Sequence, residues 1–597
     1  MKKRWIIHHP DEQAQGRLIH ELRISGPAAG ALTARGIVNV EDARRFLRPR
    51  CEHIADFSLL PDADKALDRI HRAIRDKEPI TIYADYDADG LCGAAIIGRF
   101  LGLCGYKAEV GGPRGDGSER SHGDALESGD SNLRFYVPHR ISEGYGVHPE
   151  AIEQIARNGT KLLICVDCGI AAPEAIARAA AAGLDTVVLD HHEPGIELPP
   201  AYALVDPKRV GSLSPSSELT GSGLALKLVL GLLRRLFPIS KRTEEKRCFI
   251  QDIFALAALG TIADVAPLLG ENRPIVYYGL PSLRSTSLAG LKAMLATTVK
   301  DGAPLRSYDV AFKLAPRINA ASRVDSPSRA LDLLLTDSPD AAADMAAVLE
   351  KHNRSRQNEQ RKSFEEALTL LDESAVAEMP VIVVARAGWN PGVVGLVAAK
   401  LVERFYRPSV AIAIEDGVGR GSARSIPGVN IHDAIKESSD LLTEFGGHAS
   451  AAGLSIPERN IARFAKRLAD SVARVMPVSE MRPALKLDGE LMLAEVNATL
   501  AAEVASFEPF GEGNPEPLFA ASDVQVQTPE TMGSSGEHVT FDAVQGARRI
   551  RAVAFGCRHL YETLLKTKKC SIAFTPVASD YSHAVEIKVK DFQFEGE

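Results

Sequence analysis

Four aspartate-bearing segments stand in fixed order along this chain: Asp85-Tyr86-Asp87-Ala88-Asp89-Gly90, Val166-Asp167, Asp190-His191-His192 and Ala263-Asp264. Each of the first three follows an apolar run, Ile80–Tyr83, Leu162–Val166 and Thr186–Leu189. Short apolar runs between helical patterns suit buried parallel strands. In an open α/β sheet the strand ends gather around one crevice, so residues distant in sequence can converge there. Oxygen ligands with one or two imidazoles suit Mn²⁺ or Mg²⁺, whereas zinc more often recruits thiolates or further histidines. The set reads as a metal-dependent phosphoester hydrolase.

Each piece also has a plainer reading. A lone aspartate at a strand end is more often a turn or cap residue than a ligand. Asp85–Gly90 taken alone matches the start of a calcium loop, but the glutamate expected six residues after the glycine is replaced by Ile96. Leu91–Ile97 reads instead as a helix packed on the sheet. Cys165 and Cys168 form a C-x-x-C, yet Asp167 lies between them and no second pair exists, which disfavours a zinc or redox role.

At 597 residues the chain exceeds one core and implies three or four domains. No run approaches the roughly 20 apolar residues of a membrane span, and Met1-Lys2-Lys3-Arg4 is followed by no apolar signal core. A reducing cytoplasm fits the scattered cysteines. The net charge of −8 opposes nonspecific coating of nucleic acid, although an acidic metal site contributes to that sum. Local basic groups occur at Lys351–Lys362 and at Arg548, Arg549, Arg551, Lys566, Lys568 and Lys569. Most such runs are solvated faces.

From Ile80 to about Ala266 apolar runs alternate with helices, as in Pro173–Ala182 before Gly183, which predicts right-handed βαβ units. Gly111–Asn132 is rich in Gly, Ser, Asp and Arg and reads as a flexible surface insertion. Asp344–Leu371 has no Pro or Gly and shows helical spacing, predicting one long connecting helix. A second α/β segment follows, with strands at Val381–Val384 and Ser409–Ile414 around a helix at Gly392–Val402; after Pro483 the pattern is β. The expected divisions are an N-terminal segment 1–60, a first lobe 61–340, a connecting helix 341–375, a second lobe 376–480 and a β-domain 481–597.

Together these motifs resemble the DHH phosphoesterase superfamily. The resemblance extends through Val137-Pro138-His139-Arg140, Gly144-Tyr145-Gly146, Leu259–Val265, Pro316–Ala321, Trp389–Gly395, Gly421–Ser425, Phe445–Ala449 and Pro509–Pro517, and covers nearly the whole chain. It implies an α/β fold of two lobes, DHH and DHH-associated, joined by a long helix and followed by an OB-like β-barrel. The implied activity is that of a 5′→3′ exonuclease hydrolysing phosphodiester bonds of single-stranded DNA in repair and recombination. By the same similarity Asp85, Asp87, Asp167, His191 and Asp264 hold two Mn²⁺ or Mg²⁺ ions, with Asp167 bridging. His192 is then the contact to the scissile phosphate, and Asp89 orients the turn from behind.

Arg317, Asn319 and Arg323 are expected phosphate and sugar contacts, weighed against arginines that hold a turn through a carboxylate pair. Ser422, Arg424 and Ser425, with Gly446, Gly447 and His448, resemble the second lobe's substrate pocket, where capture of a terminal 5′-phosphate sets polarity. In the barrel Phe541 and Phe555 are stacking candidates, against the plainer expectation that a barrel fills itself with aromatics. Many relatives carry a histidine shortly before the first aspartate, where this chain has Thr81 and Tyr83. Single-stranded DNA is the expected partner, with single-strand-binding protein and a helicase as candidates and no membrane. Two other readings are a phosphodiesterase of short oligonucleotides or cyclic dinucleotides, and a noncatalytic strand-binding scaffold. A scaffold should have lost ligands, whereas the four acidic segments stand intact.

Overall fold

The computed structural model describes residues 3–594 apart from 109–130, 141–142, 216, 238–242, 300–301, 325, 534 and 580–583. Stretch 111–130 of the expected insertion therefore lies outside the described residues. The chain opens with strand β1 (Arg4–Ile7) and helices α1 (Glu12–Leu22), α2 (Gly26–Ala34) and α3 (Val40–Leu47), and α4 (Ala63–Asp76) leads into the first lobe. There β2 (Ile80–Ala84), α5 (Ala88–Leu103), β3 (Leu133–Tyr136), α6 (Pro149–Arg157), β4 (Leu162–Val166), α7 (Pro173–Ala181), β5 (Asp185–Leu189) and β6 (Ala203–Val205) alternate. The five strands form one parallel sheet in the order β3-β2-β4-β5-β6.

Every residue of β2 and β4 is buried, which is why their sequences are continuously apolar rather than alternating. Each buried Ile, Leu or Val there contributes roughly 1.5–3 kcal/mol, enough to fix the register of the strand ends. From β2 the chain crosses to β3 on one side, then returns to β4 on the other, so the connections diverge and a crevice opens at the carboxyl ends of β2 and β4. Helices α8 (Gly221–Leu236) and α9 (Glu244–Ala263) pack beside α5, α10 (Asn272–Arg284) packs on α9, and α11 (Ala315–Val324) follows a π-helical turn at Val310–Leu314.

The connecting helix, α12 (Pro339–Thr369), starts with Ser338 capping the Ala341 amide and Pro339 in the first turn. The second lobe consists of β7 (Ile382–Ala387), α13 (Val394–Phe405), β8 (Ser409–Glu415), β9 (Val418–Arg424), β10 (Glu444–Gly447) and β11 (Ala451–Pro457), with sheet order β10-β11-β9-β8-β7. Only β7 and β8 run parallel in that sheet.

The last unit contains β12 (Ala484–Leu487), β13 (Gly489–Glu490), β14 (Phe519–Met532), β15 (His538–Gln545), β16 (Arg548–Ala554), β17 (Cys570–Ala578) and β18 (Val585–Phe594). Strand β14 pairs with both β15 and β17, which closes β14-β15-β16-β18-β17 into a barrel. Phe541 is fully buried in its core and cannot stack on a base, while Phe555 is 55% exposed. The first 47 residues join this unit: β1 pairs with β12, and Leu18, Leu32 and Phe46 share a core with Phe507, Phe519 and Phe541. Among the described residues no helix is long and apolar enough to cross a membrane.

Candidate metal centre and phosphate cleft

Asp85 directly follows β2, Asp167 follows β4 and Asp190 follows β5, so the parallel sheet delivers all three to one end; Asp264 joins them as the C-terminal cap of α9. Three groups have donor atoms within 4.8 Å of one another: Asp85, Asp87 and Asp167; Asp89, His191 and Asp264; and Asp167, His191 and His192. All five expected ligands are in these groups, and Asp167 appears in two. Asp167 has φ +62, a left-handed conformation uncommon for a residue with a side chain, and its amide donates to Leu189 O at 2.8 Å. Its neighbour on α8 is Gly221, where a Cβ would stand 2.6 Å from the Asp167 Cβ. Only glycine fits there.

Asp87 caps α5, its Oδ1 accepting from the amides of Asp89 and Gly90 at 2.9 and 3.1 Å. Asp89 is buried behind the turn and accepts from Gly221 N at 2.6 Å, Ser222 N at 3.1 Å and the Ser222 hydroxyl. It ties the first turn of α5 to the start of α8. Thr81 and Tyr83, where many relatives have histidine, are engaged elsewhere: Thr81 Oγ1 lies 2.7 Å from Thr160 Oγ1, and Tyr83 donates to Gly146 O at 3.0 Å.

The cluster could hold a cation. Asp85 Oδ1 is buried and makes no hydrogen bond among the described residues. Burial, then Asp87, push the Asp85 carboxyl well above its ordinary range. Burial and the surrounding aspartates do the same to Asp167. Burial and Asp89 push Asp264 up to about 8, and burial and Asp87 push Asp89 up to about 6. His191 lies 2.9 Å from Asp167 Oδ1 through Nε2, and burial followed by His192 holds it down at about 3, so its imidazole is neutral, the form that binds metal. Mutually repelling carboxyls beside a neutral imidazole fit hard divalent cations.

Asp190, given no separate role by the sequence, is fully buried. It accepts from the amides of Ile170, His191 and His192 at 2.9, 2.8 and 3.2 Å and lies 2.8 Å from His192 Nδ1. The Tyr145 hydroxyl also reaches His192 Nδ1, at 2.9 Å. Burial opposes charge on His192, but the bond to Asp190 and the nearby aspartates raise its pKa above the ordinary value. Nδ1 is the engaged ring nitrogen, and Nε2 is the one left open.

The expected phosphate contacts divide. Arg317 is paired with Glu350 of the connecting helix at 2.7 Å, a half-buried pair that braces α11 against α12. The Asn319 Oδ1 accepts from Ala88 N at 2.8 Å, which commits that atom to the Asp87 turn rather than to a sugar. Ser425 donates to Val429 O at 2.7 Å. Arg323 donates to Gly392 O at 2.7 Å across the lobes. Burial, then Arg140, Arg356 and Arg424, push Arg323 down to about 9. Its guanidinium stays charged, so the shift measures how strongly this spot favours an anion.

Burial and Arg140 likewise lower Arg424, whose guanidinium donates to Ser422 Oγ at 3.1 Å. Neither Arg323 nor Arg424 has a carboxylate partner among the described residues. Arg140 lies 4.8 Å from the ring centroid of Tyr86, between Asp85 and Asp87, so the cation group abuts the acids. Gly447 has φ +137, and a Cβ there would meet Ala451 O at 2.4 Å; His448 beside it is exposed. In the sequence Arg140 stands out only as part of a motif, and Arg356 reads as one member of a solvated run.

Family models described as the DHH family N-terminal domain, the DHHA1 domain and the RecJ OB domain match residues 79–261, 378–474 and 487–591. The single-stranded-DNA-specific exonuclease RecJ of Bacillus subtilis is 34% identical over 573 residues, spanning 96% of this chain and 68% of that protein. The protein of the same description from Escherichia coli is 31% identical over 535 residues, 87% of each chain. A crystal structure of RecJ in complex with Mn²⁺ from Thermus thermophilus superposes with a TM-score of 0.79 at 28% identity, covering 100% of this chain and 80% of that one.

Proposed function

The chain belongs to the RecJ family of single-stranded-DNA-specific exonucleases, and from that membership we propose that it degrades single-stranded DNA from the 5′ end by metal-dependent hydrolysis. The observation that carries the reading is the buried acid cluster set directly against arginines that lack carboxylate partners. Asp85, Asp87, Asp167, His191 and Asp264 would hold Mn²⁺ or Mg²⁺. Bound there, the metal pair supplies activated water and neutralises charge on the leaving oxygen.

The chain's own residues supply placement. Asp190 holds His192 with Nε2 free to donate to a phosphate oxygen. Arg323 and Arg424, facing each other from the two lobes, grip phosphate through guanidinium forks. A strand terminus carries more charge than an internal phosphodiester, so a 5′-phosphate is the favoured occupant of this cation group, and its capture sets polarity. The cleft between the lobes takes a single strand, and Arg549, Arg551 and Phe555 on and beside β16 extend contact along the barrel. The phosphodiesterase of short substrates is not favoured, because a RecJ OB match covers residues 487–591. A helicase or single-strand-binding protein that presents unpaired strand in the cytoplasm is the partner this activity calls for.

The test is hydrolysis of 5′-phosphorylated single strands and duplexes by the purified protein with Mn²⁺. Mononucleotides should appear from single strands, a blocked 5′ end should stop the reaction, and Asp167→Ala should abolish it. Full activity in that variant refutes the site assignment, and equal digestion of 5′-blocked strands refutes the polarity.

A further inference from the structure

The turn that follows Asp264 is fastened by the barrel. Asp264 caps α9, and Val265 next to it has φ +59, a conformation that a β-branched residue adopts only under restraint. Val265 is 65% exposed, so the packing of its own side chain does not impose that conformation. The turn closes through Val265 N to Ile262 O at 3.2 Å and Ala266 N to Thr261 O at 3.3 Å. Beyond it the contacts pass to the Pro509–Pro517 segment. Leu268 N donates to Glu512 O at 2.8 Å. The buried Leu268 side chain packs so closely on Gly511 that a Cβ there would stand 2.6 Å from Leu268 Cδ1.

The fastening segment is itself held on several sides. Asn514 is fully buried; its Nδ2 donates to Phe507 O and Pro509 O at 2.8 and 2.9 Å, and its Oδ1 accepts from Arg35 Nε at 2.9 Å. Arg35 also pairs with Asp488 at 2.6 Å. Downstream of the turn, Arg273 donates to Phe46 O, Phe507 O and Glu508 O at 2.7, 3.0 and 2.9 Å, with its guanidinium 3.7 Å from the Phe46 ring centroid. Both flanks of residues 265–273 are therefore tied to the barrel unit.

We infer that the Pro509–Pro517 segment is a positioning element for the metal centre, holding residues 265–269 so that the Asp264 carboxylate points into the acid cluster. The inference rests on Asp264 being a ligand. It gives the barrel a second task, independent of its hold on the strand.

Gly511→Ala tests it, because Gly511 does not have a left-handed φ and the added methyl meets only Leu268. Mn²⁺ binding to the full chain is measured by calorimetry, beside melting of the metal-free protein, long-strand affinity and turnover of a 5′-phosphorylated dinucleotide. The expected result is at least a fivefold weaker Mn²⁺ affinity and a matching fall in dinucleotide kcat, with long-strand affinity unchanged. In a Leu268→Ala background, where the clashing side chain is gone, Gly511→Ala should change Mn²⁺ affinity less than twofold. Should Gly511→Ala fail to fold, Leu268→Ala alone carries the test, since it loosens the same contact and should also weaken Mn²⁺ binding. Mn²⁺ affinity within twofold of the parent in every folded variant overturns the inference. A parent chain that binds Mn²⁺ but hydrolyses no strand overturns the proposed function instead, and leaves the affinity comparison standing.

Discussion

Asp264→Asn should make the metal-free protein more stable while disabling it. The Asp264 carboxyl is pushed from 3.8 up to about 8 by burial and by Asp89 and Asp87, and its side chain is 29% exposed. The folded chain therefore holds this proton more tightly than the unfolded chain, so stability falls as pH rises from about 4 and the full penalty is present above about 8. A tenfold difference in proton affinity is worth about 1.4 kcal/mol, which sets a ceiling of about 6 kcal/mol for this carboxyl. Sharing of protons with Asp89 and Asp167, and partial solvation, reduce the expected gain to roughly 2 kcal/mol at about pH 8. Thermal unfolding in EDTA should then show Asp264→Asn melting about 3 °C higher than the parent at that pH. The difference should be roughly halved at about pH 4.5 and shrink toward zero only below about pH 3. In saturating Mn²⁺ the order should reverse, because a ligand at about 100-fold excess over its Kd adds about 2.7 kcal/mol to the chain that binds it. A variant no more stable than the parent in EDTA at the higher pH refutes the reasoning.

Three further outcomes follow from the site. His191→Ala should weaken Mn²⁺ at least tenfold in calorimetry, as the proposed assignment of the neutral Nε2 beside Asp167 to the metal requires; unchanged affinity removes it from the centre. Arg323→Gln and Arg424→Gln should each lower the slope of log affinity against log salt by about 0.7 for single strands, and an unaltered slope means that neither touches phosphate. Arg317→Ala should leave strand affinity within twofold but destabilise the chain by about 1 kcal/mol, because Glu350 loses one of two arginine partners and keeps Arg354; a loss of strand binding without destabilisation makes Arg317 a phosphate contact.

The parallel sheet and the acids at its strand ends were legible because both follow local rules: continuous apolar runs of about five residues, each ending in an aspartate before a turn. The role of Asp190 was not legible. Nothing local in Asp-His-His assigns Asp190 a role, and only its burial and the bonds from the Ile170, His191 and His192 amides show it holding the turn. Arg317 and Arg323 lie six positions apart on one helix and looked alike; Glu350, on a different helix, claims only the first. Arg356 belonged to a run of like charges, and a run does not reveal which of its members turns inward. Phe541 and Phe555 show the same limit, since aromatic type does not say which face of a barrel strand a residue occupies. The union of the first helices with the barrel depends on pairings such as Trp5 with Asp591, for which no local signal exists.

That union has a consequence for how the molecule is born. Trp5 meets Asp591 only after 586 further residues have been added, which at ribosomal speeds of about 5–20 residues per second takes roughly 30 s to 2 min. For most of that interval Leu18 and Leu32 lack their partners from the barrel unit, while the contiguous first lobe is free to fold as soon as it emerges. A nascent chain thus completes its acid-bearing sheet early but gains the clasp behind Asp264 only near termination. If that clasp orients Asp264 as inferred, synthesis itself delays the competence of a strand-degrading active site until the barrel unit is made.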